Sequence, residues 1–186
     1  MAEWFEEWFG EEYLHLYPHR NEADADRVVT LLASTLPWAT GWRVLDVACG
    51  AGRHLAALER AGAVPFGFDL SAPLLRRARE ATRRPLVRAD LRALPFRPGS
   101  MDLTVNLFTS FGYFADDAEH QVVLSEAART LVPGGTLVLD YFNAELVKDG
   151  LVPREEKTLG GRQVIILRRI SDDGRFVIKE IQPRDG

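Results

Sequence analysis

Apolar runs of strand length recur through the middle of the chain, separated mostly by stretches with the periodicity of amphipathic helices. The runs are apolar on both faces, which is typical of strands buried on both sides of a sheet. Buried strands that alternate with helices predict a parallel sheet, and right-handed crossovers make it doubly wound. The predicted strands occupy residues 43–48, 64–69, 85–90, 101–108 and 136–142.

The two ends of the chain have other patterns. Asn21 is placed to cap a helix that precedes the first strand. Near the other end, "RQVIILRRI" and "RFVIKEIQ" are strand-like and are joined by "SDDG". This arrangement predicts an antiparallel β-hairpin.

Composition and charge exclude several classes of protein. The 186 residues are 46% hydrophobic and carry a net charge of −4, which argues against a surface that binds duplex nucleic acid. The basic run at 76–88 is interpreted as the solvated face of a helix. No apolar run reaches the roughly 20 residues of a membrane span, and the acidic N-terminus is unlike a secretory signal. Cys49 is the single cysteine, which excludes an internal disulfide and favours a cytoplasmic location.

The segment "VLDVACGAGRH" (44–54) combines a strand, a glycine-rich turn and the start of a helix. We call residues 48–52 the glycine turn. Gly50 and Gly52 let a ligand approach the backbone, and the helix N-terminus offers unpaired N–H groups. A dinucleotide fold needs a third glycine, where this chain has Leu55, and Asp46 suits an ammonium better than a pyrophosphate. Both features count against a nicotinamide-dependent oxidoreductase, and the absence of Gly-Lys-Ser/Thr excludes a nucleotide P-loop.

The same segment resembles the first motif of the class I S-adenosylmethionine-dependent methyltransferases, with Ala48 where glycine is commonest. "FGFDLS" resembles the second motif of that family and "RADLRALPF" the third. "DLTVNLFTSFGYF" and "LVPGGTLVLD" are similar to the regions around its fourth and fifth strands. Together these segments cover roughly residues 40–142 in the family's order.

The resemblance implies S-adenosylmethionine as cofactor, with Asp69 on the ribose hydroxyls, Asp90 facing the adenine amino group and Leu91 against the ring. Asp46, Asp69 and Asp90 also end three successive strands, so they reach one rim of the sheet. Asp69 or Asp90 alone is equally well explained as a helix or turn cap, but three acids at successive strand ends beside the glycine turn favour ligand binding. The predicted cofactor-binding residues are Asp46, Ala48, Cys49 (through its backbone), Gly50, Gly52, Asp69, Leu70, Asp90, Leu91, Asn106, Leu107, Tyr13, Tyr17 and Arg20.

Three regions are expected: an N-terminal helical lid (1–40), the cofactor-binding core (41–150) and a hairpin extension or insert (151–186). In the resemblance, the lid folds over the cofactor. Tyr13 and Tyr17 then cover the cofactor and Arg20 pairs with its methionine carboxylate. The alternative is an aromatic helix packed on the core with solvated polar tips.

The acceptor is expected to lie beyond the fourth strand. Phe108, Phe111, Tyr113 and Phe114 are candidates to line an apolar pocket, although at least two of them are expected in the core. "NLFT" lacks the prolines of enzymes that methylate amino groups of DNA bases, so a small-molecule acceptor is favoured.

In-line methyl transfer needs positioning more than a dedicated base. If the acceptor must lose a proton, His19 and Tyr113 are the candidate catalytic residues. His54 and His120 fall on predicted helices and are interpreted as surface or packing residues. The metal-dependent relatives carry an adjacent Asp-Asn pair, which this sequence lacks near Asp140, so no metal is predicted.

The sheet of the family has seven strands, whereas five are predicted here before the hairpin. The hairpin either replaces the last two strands or is an insert after strand five with the rest of the domain absent, and the second interpretation is favoured. Strand five would then be an open edge through which two copies can pair as a homodimer. The function expected is methyl transfer to a small molecule. The alternative is a truncated, non-catalytic domain of the same fold that binds the cofactor or a partner.

Overall fold

The computed structural model describes Phe9 and residues 22–114, 116–159 and 161–184. The chain divides into two compact units, of which one ends at Tyr141 and the other begins again at Phe142. The elements are α1 (Glu22–Thr35), β1 (Arg43–Val47), α2 (Arg53–Arg60), β2 (Val64–Asp69), α3 (Ala72–Ala81), β3 (Leu86–Arg88), β4 (Met101–Asn106), α4 (Asp117–Thr130), β5 (Leu131–Leu139), α5 (Ala144–Asp149), β6 (Arg154–Leu159), β7 (Arg162–Ile170) and β8 (Val177–Pro183).

The first unit is built on a five-stranded sheet in the order β3-β2-β1-β4-β5. Every neighbouring pair in it is parallel, which confirms the doubly wound fold predicted from the apolar runs. The chain first winds from β1 toward β3 and then crosses back to β4. Strand order therefore reverses between β1 and β4, and in such sheets a crevice opens at the carboxyl ends of those strands.

Side chains of β1 alternate between the two covered faces of the sheet. Val44 packs in one cluster with Leu103 of β4 and with residues of α2. Leu45 packs in a second cluster with Phe68 of β2. Helix α1 contributes Ala25, Val29 and Leu32 to the first cluster, so this part of the expected lid segment belongs to the core of the sheet.

Several element bounds differ from the prediction because of local backbone geometry. β1 ends at Val47 because Ala48 turns to a φ of +58°. β5 runs Leu131–Leu139 rather than 136–142. Its early part contains Pro133 and two glycines, which interrupt the apolar pattern, and the β4–β5 register shifts between Met101 and Leu103 to accommodate them. A bulge of this kind keeps a strand paired through residues that sequence patterns assign to a turn.

The second unit contains α5 and an antiparallel sheet in the order β6-β7-β8. The predicted hairpin is confirmed as β7–β8, with Val164 and Ile166 buried. β6 was not predicted, because "REEKTL" has no apolar alternation. It pairs with β7 through an antiparallel backbone ladder, beside ion pairs such as Glu155 with Arg168, whose closest atoms lie 2.8 Å apart.

The hairpin pairs with β6 and forms no ladder with β5 among the described residues. β5 is accordingly an edge of the parallel sheet in that part of the chain. The interpretation of the hairpin as an insert stays a prediction. None of the described helices has the length and apolar character needed to cross a membrane.

Candidate cofactor site

The glycine turn leaves β1 through left-handed backbone. The φ angles of Ala48, Gly50 and Gly52 are +58°, +55° and +81°. A Cβ on Gly52 would lie 3.0 Å from the Cβ of Ala78, so the close packing of α2 on α3 requires a glycine there. A Cβ on Gly50 would meet only Leu74, at 4.0 Å. Gly50 thus leaves open space beside its backbone, which is what the approach of a ligand needs.

Asp69 joins the end of β2 to the glycine turn. Its Oδ2 accepts the backbone N–H of Gly50 at 2.8 Å, and its Oδ1 accepts that of Ser71 at 2.8 Å. Burial raises the pKa of Asp69, and the backbone donors oppose this rise. The carboxylate is therefore held in a fixed orientation while each oxygen keeps a lone pair for a further donor, as a ribose diol requires.

Asp46 is 1% exposed, and its Oδ2 has no hydrogen-bond partner among the described residues. Burial, helped by the charge of Asp69, raises the pKa of Asp46 to about 8, while Arg53 acts in the opposite direction. On the adjacent strand β4, Asn106 donates to the carbonyl of Val47 at 3.4 Å, and its Oδ1 likewise lacks a partner in the described part of the chain. The oxygens of Asp46 and Asn106 are thus two buried acceptors without described donors, on β1 and β4, between which the strand order reverses. A cationic ligand would satisfy them.

Asp90 lies in a different environment, because Arg92 donates three hydrogen bonds to its carboxylate. The guanidinium donates to Oδ1 at 3.0 Å and to Oδ2 at 2.6 Å, and the backbone N–H of Arg92 donates to Oδ1 at 2.8 Å. These hydrogen bonds lower the pKa of Asp90 and keep it ionised. Arg92 also reaches Glu119 at 2.6 Å and covers the ring of Phe114 at 4.7 Å. A carboxylate has about four acceptor positions, so one remains for an adenine amino group.

Other predicted cofactor residues lie around the same rim. Cys49 and Leu107 are buried with their side chains in core clusters, so only their backbones are available to a ligand. Leu91 is partly buried against the cluster that holds Phe68. The carbonyl of Leu70 accepts from Arg88 at 2.9 Å. The remaining candidates lie outside the described residues: Tyr13, Tyr17, His19 and Arg20.

The aromatic segment after β4 is part core and part rim. Phe114 is buried, whereas Phe108, Phe111 and Tyr113 are half-buried. The rings of Phe111 and Phe114 lie 5.2 and 5.7 Å from that of His120, which is a packing residue of α4 as predicted.

The described residue Phe9 of the N-terminal segment also reaches this rim. Its ring lies 5.6 Å from that of Tyr113, and its carbonyl accepts the hydroxyl of Ser71 at 2.5 Å. Ser71 follows Asp69 by two residues, so Phe9 contacts both the segment beside Asp69 and the aromatic segment after β4.

Two features of the rim were missed by sequence reasoning. The first is the pairing of Arg92 with Asp90, which lies two residues before it in the sequence. The second is the hydrogen bond from the backbone N–H of Phe108 to Asp140 at 2.9 Å, which no pattern in the sequence indicates. Across the described residues, no three His, Cys, Asp or Glu side chains are grouped as a metal site would need.

Known proteins are similar to this chain over the segments that form the candidate site and over residues outside them. A family model described as "Methyltransferase domain" matches residues 44–135. A dTDP-3-amino-3,4,6-trideoxy-alpha-D-glucopyranose N,N-dimethyltransferase from Streptomyces venezuelae is 33% identical over 164 residues, which are 86% of this chain and 67% of that protein. A demethylmenaquinone methyltransferase from Corynebacterium kroppenstedtii is 35% identical over 58% of this chain and 44% of its own length. The chain thus spans about two thirds of the first relative and less than half of the second.

A solved structure with S-adenosylmethionine bound is also similar. It is an amino pentose methyltransferase from Micromonospora echinaspora, 25% identical, with a TM-score of 0.64 over 88% of this chain and 77% of that one. The fold, the glycine turn with its acids, and these relatives lead to one conclusion. The chain belongs to the class I S-adenosylmethionine-dependent methyltransferases, whose methyl donor is S-adenosylmethionine.

Proposed function

We propose that this chain transfers a methyl group from S-adenosylmethionine to a nitrogen atom of a small-molecule acceptor, with amino sugars as the first class to test. The observation that carries the cofactor part of the proposal is the carboxylate of Asp69, which accepts the backbone N–H groups of Gly50 and Ser71 at 2.8 Å each. This contact makes one binding surface from the glycine turn and the end of β2.

The residues at the rim fit the three polar parts of the cofactor. We assign the unsatisfied oxygens of Asp46 and Asn106 to the ammonium group, because both are buried acceptors without a described donor. Asp69 is assigned to the ribose diol and the remaining acceptor position of Asp90 to the adenine amino group. The open space beside Gly50 lets the cofactor lie against the backbone.

When bound, the cofactor supplies a methyl group activated by a sulfonium. The protein's task is then to align the acceptor and exclude water, which can supply much of the acceleration. Half-buried Phe108, Phe111 and Tyr113 are proposed as the acceptor-side wall, with Phe9 over it. Tyr113 remains the proposed base among the described residues, and His19 the proposed base outside them.

The choice of a nitrogen acceptor is supported by the extent of the matches. The amino-sugar relative matches 86% of this chain, whereas the demethylmenaquinone relative matches 58%. A match limited to the cofactor-binding core speaks less to the acceptor than one that reaches beyond it.

Calorimetric titration with S-adenosylmethionine, S-adenosylhomocysteine and NAD tests the cofactor assignment. We expect micromolar binding of the first two, about −8 kcal/mol, and none of NAD. Asp69→Ala should weaken binding at least about tenfold, because the diol loses its acceptor.

Asp102→Ala is the matched control, since Asp102 lies at the opposite end of the same sheet, where it accepts from the backbone of Arg43 at 2.8 Å. It should bind like the wild type. NAD binding, or equal loss in both variants, would overturn the assignment.

An acceptor screen with mass-spectrometric detection of the methylated product tests the proposed acceptor class. Transfer to a nucleotide-linked amino sugar supports a nitrogen acceptor. Transfer to a demethylated quinol instead would replace the acceptor class but keep the enzyme class. Tight cofactor binding with no transfer to either would favour a non-catalytic binding domain.

A further inference from the structure

The turn that follows β4 is strained. Phe108 and Thr109 are consecutive non-glycine residues with φ angles of +64° and +61°. We call this pair the β4 turn. Left-handed backbone is unfavourable for bulky and β-branched side chains, and two such residues in succession persist only where the surrounding structure holds them.

Asp140, directly after β5, makes three hydrogen bonds around the β4 turn. Its Oδ2 accepts the N–H of Phe108 at 2.9 Å, and its carbonyl accepts the N–H of Thr109 at 3.2 Å. Its own N–H donates to the carbonyl of Asn106 at 2.9 Å, which continues the strand pairing to the start of the turn. Both strained residues therefore have their donors satisfied by a single residue.

Tyr141 extends the same contact. Its ring meets that of Phe111 edge-on at 6.2 Å. A Cβ on Gly112 would lie 2.5 Å from the Tyr141 hydroxyl, so the glycine permits this close approach. The end of β5 thus packs along the loop from the β4 turn to Gly112.

The β4 turn determines where the ring of Phe108 lies. The guanidinium of Arg53 stands 4.3 Å from the centre of that ring. Arg53 is the first residue of α2 and follows the glycine turn directly. A cation over an aromatic face is an attractive contact, so the β4 turn and the glycine turn are linked at the switch point of the sheet.

We propose that Asp140 is a positioning residue, which holds the β4 turn in its left-handed form and so places Phe108 against Arg53 beside the cofactor site. The part of this inference that concerns a ligand rests on the proposed function. The part that concerns the turn does not, and the two are tested separately.

Amide hydrogen exchange of the ligand-free protein tests the turn. Asp140→Ala should speed exchange at Phe108 and Thr109 by about tenfold, because the carboxylate partner is lost and the strained turn opens. Asp140→Asn should have a smaller effect, since an amide oxygen still accepts. The matched control is Asp173→Ala, which removes another exposed carboxylate that accepts a backbone N–H in a turn, at 3.1 Å. Unchanged exchange in Asp140→Ala would overturn the inference.

Calorimetry with S-adenosylhomocysteine tests the link to the site. Asp140→Ala should weaken binding by about tenfold, while Asp173→Ala leaves it unchanged. Adding Thr109→Gly to Asp140→Ala should recover at least part of the affinity, because glycine adopts the left-handed form without help. Urea unfolding of the same variants separates this local rescue from the stabilisation that Thr109→Gly gives by itself.

Two outcomes separate the inference from the proposed function. If the wild type binds and Asp140→Ala binds equally well, the positioning role is wrong and the cofactor assignment stands. If the wild type does not bind, the proposed function fails, and the exchange experiment alone decides whether Asp140 holds the turn.

Discussion

The glycine turn after β1 and the β4 turn lie at the same rim of the sheet. Both contain left-handed backbone, but different residue types adopt that conformation in the two turns. The first uses Gly50 and Gly52, at φ angles of +55° and +81°, after Ala48 at +58°. The second uses Phe108 and Thr109, at +64° and +61°. Glycine adopts this conformation at no steric cost, so the first turn is specified locally. The second turn depends on contacts from Asp140, directly after β5, and its residue types do not indicate left-handed backbone.

The first way to sharpen this comparison is to change the two glycines, and it has the largest expected effect. Gly52→Ala should lower the free energy of unfolding by about 3 kcal/mol, since it adds left-handed strain and a clash with Ala78. Gly50→Ala should lower it by only about 1–2 kcal/mol, because strain is its only penalty. Urea unfolding measures both. Equal losses would mean that packing does not distinguish the two positions.

The second test concerns the buried acid beneath the glycine turn. Burial raises the pKa of Asp46 from 3.8 to about 8, so between these values the folded state keeps a proton that the unfolded chain releases. The free energy of unfolding of the ligand-free protein should therefore fall as pH rises toward 8, by at most about 1.4 kcal/mol per pH unit. Asp46→Asn should flatten this slope.

The pH window of that test matters because His54 acts with the opposite sign. Burial lowers the pKa of His54 from 6.5 to about 3, so its contribution is lost as pH falls below 6.5. Above that pH His54 no longer contributes a slope, so the range from 6.5 to 8 reports on Asp46, with Asp69 acting in the same direction. Urea midpoints across this range supply the measurement. An unchanged slope in Asp46→Asn would show that Asp46 is ionised in the folded protein.

The smallest expected effects come from relieving strain in each turn. Thr109→Gly should raise the free energy of unfolding by about 0.5–1 kcal/mol, because relief of left-handed strain exceeds the added entropy of the unfolded chain. Ala48→Gly, at a φ of +58°, should give about 0.5 kcal/mol or less by the same reasoning. Thermal melting resolves the difference. Destabilisation by Thr109→Gly would mean that its side-chain contacts outweigh the strain.

Sequence patterns predicted much of the fold, because buried parallel strands are continuous apolar runs. β2 was predicted with its observed bounds, Val64–Asp69. The patterns failed where another interaction replaces burial. β6 is held by its backbone ladder with β7 and by ion pairs, and the early part of β5 pairs through a bulge despite its proline and glycines.

For the candidate site, the sequence predicted the positions of the acids but not the residues that contact them. Asp46, Asp69 and Asp90 lie within two residues of the ends of successive strands, so strand spacing alone placed them at one rim. Sequence reasoning missed the partners: Arg92 takes three of the acceptor positions of Asp90, and Asp140 supports the β4 turn. Their roles as cofactor ligands remain proposals for the binding experiments.

The sequence by itself determined two features of this protein: an acid at or near the end of each of the first three strands, and glycines at two of the three left-handed positions of the glycine turn. These follow from residue type and spacing, which act over a few neighbouring residues. Only the tertiary structure decided the partners of the acids. Oδ2 of Asp46 is buried without a described donor, Asp90 is hydrogen-bonded by an arginine, and Asp140 contacts a strained turn. Those outcomes depend on contacts between residues far apart in the chain, such as the 32 positions that separate Phe108 from Asp140.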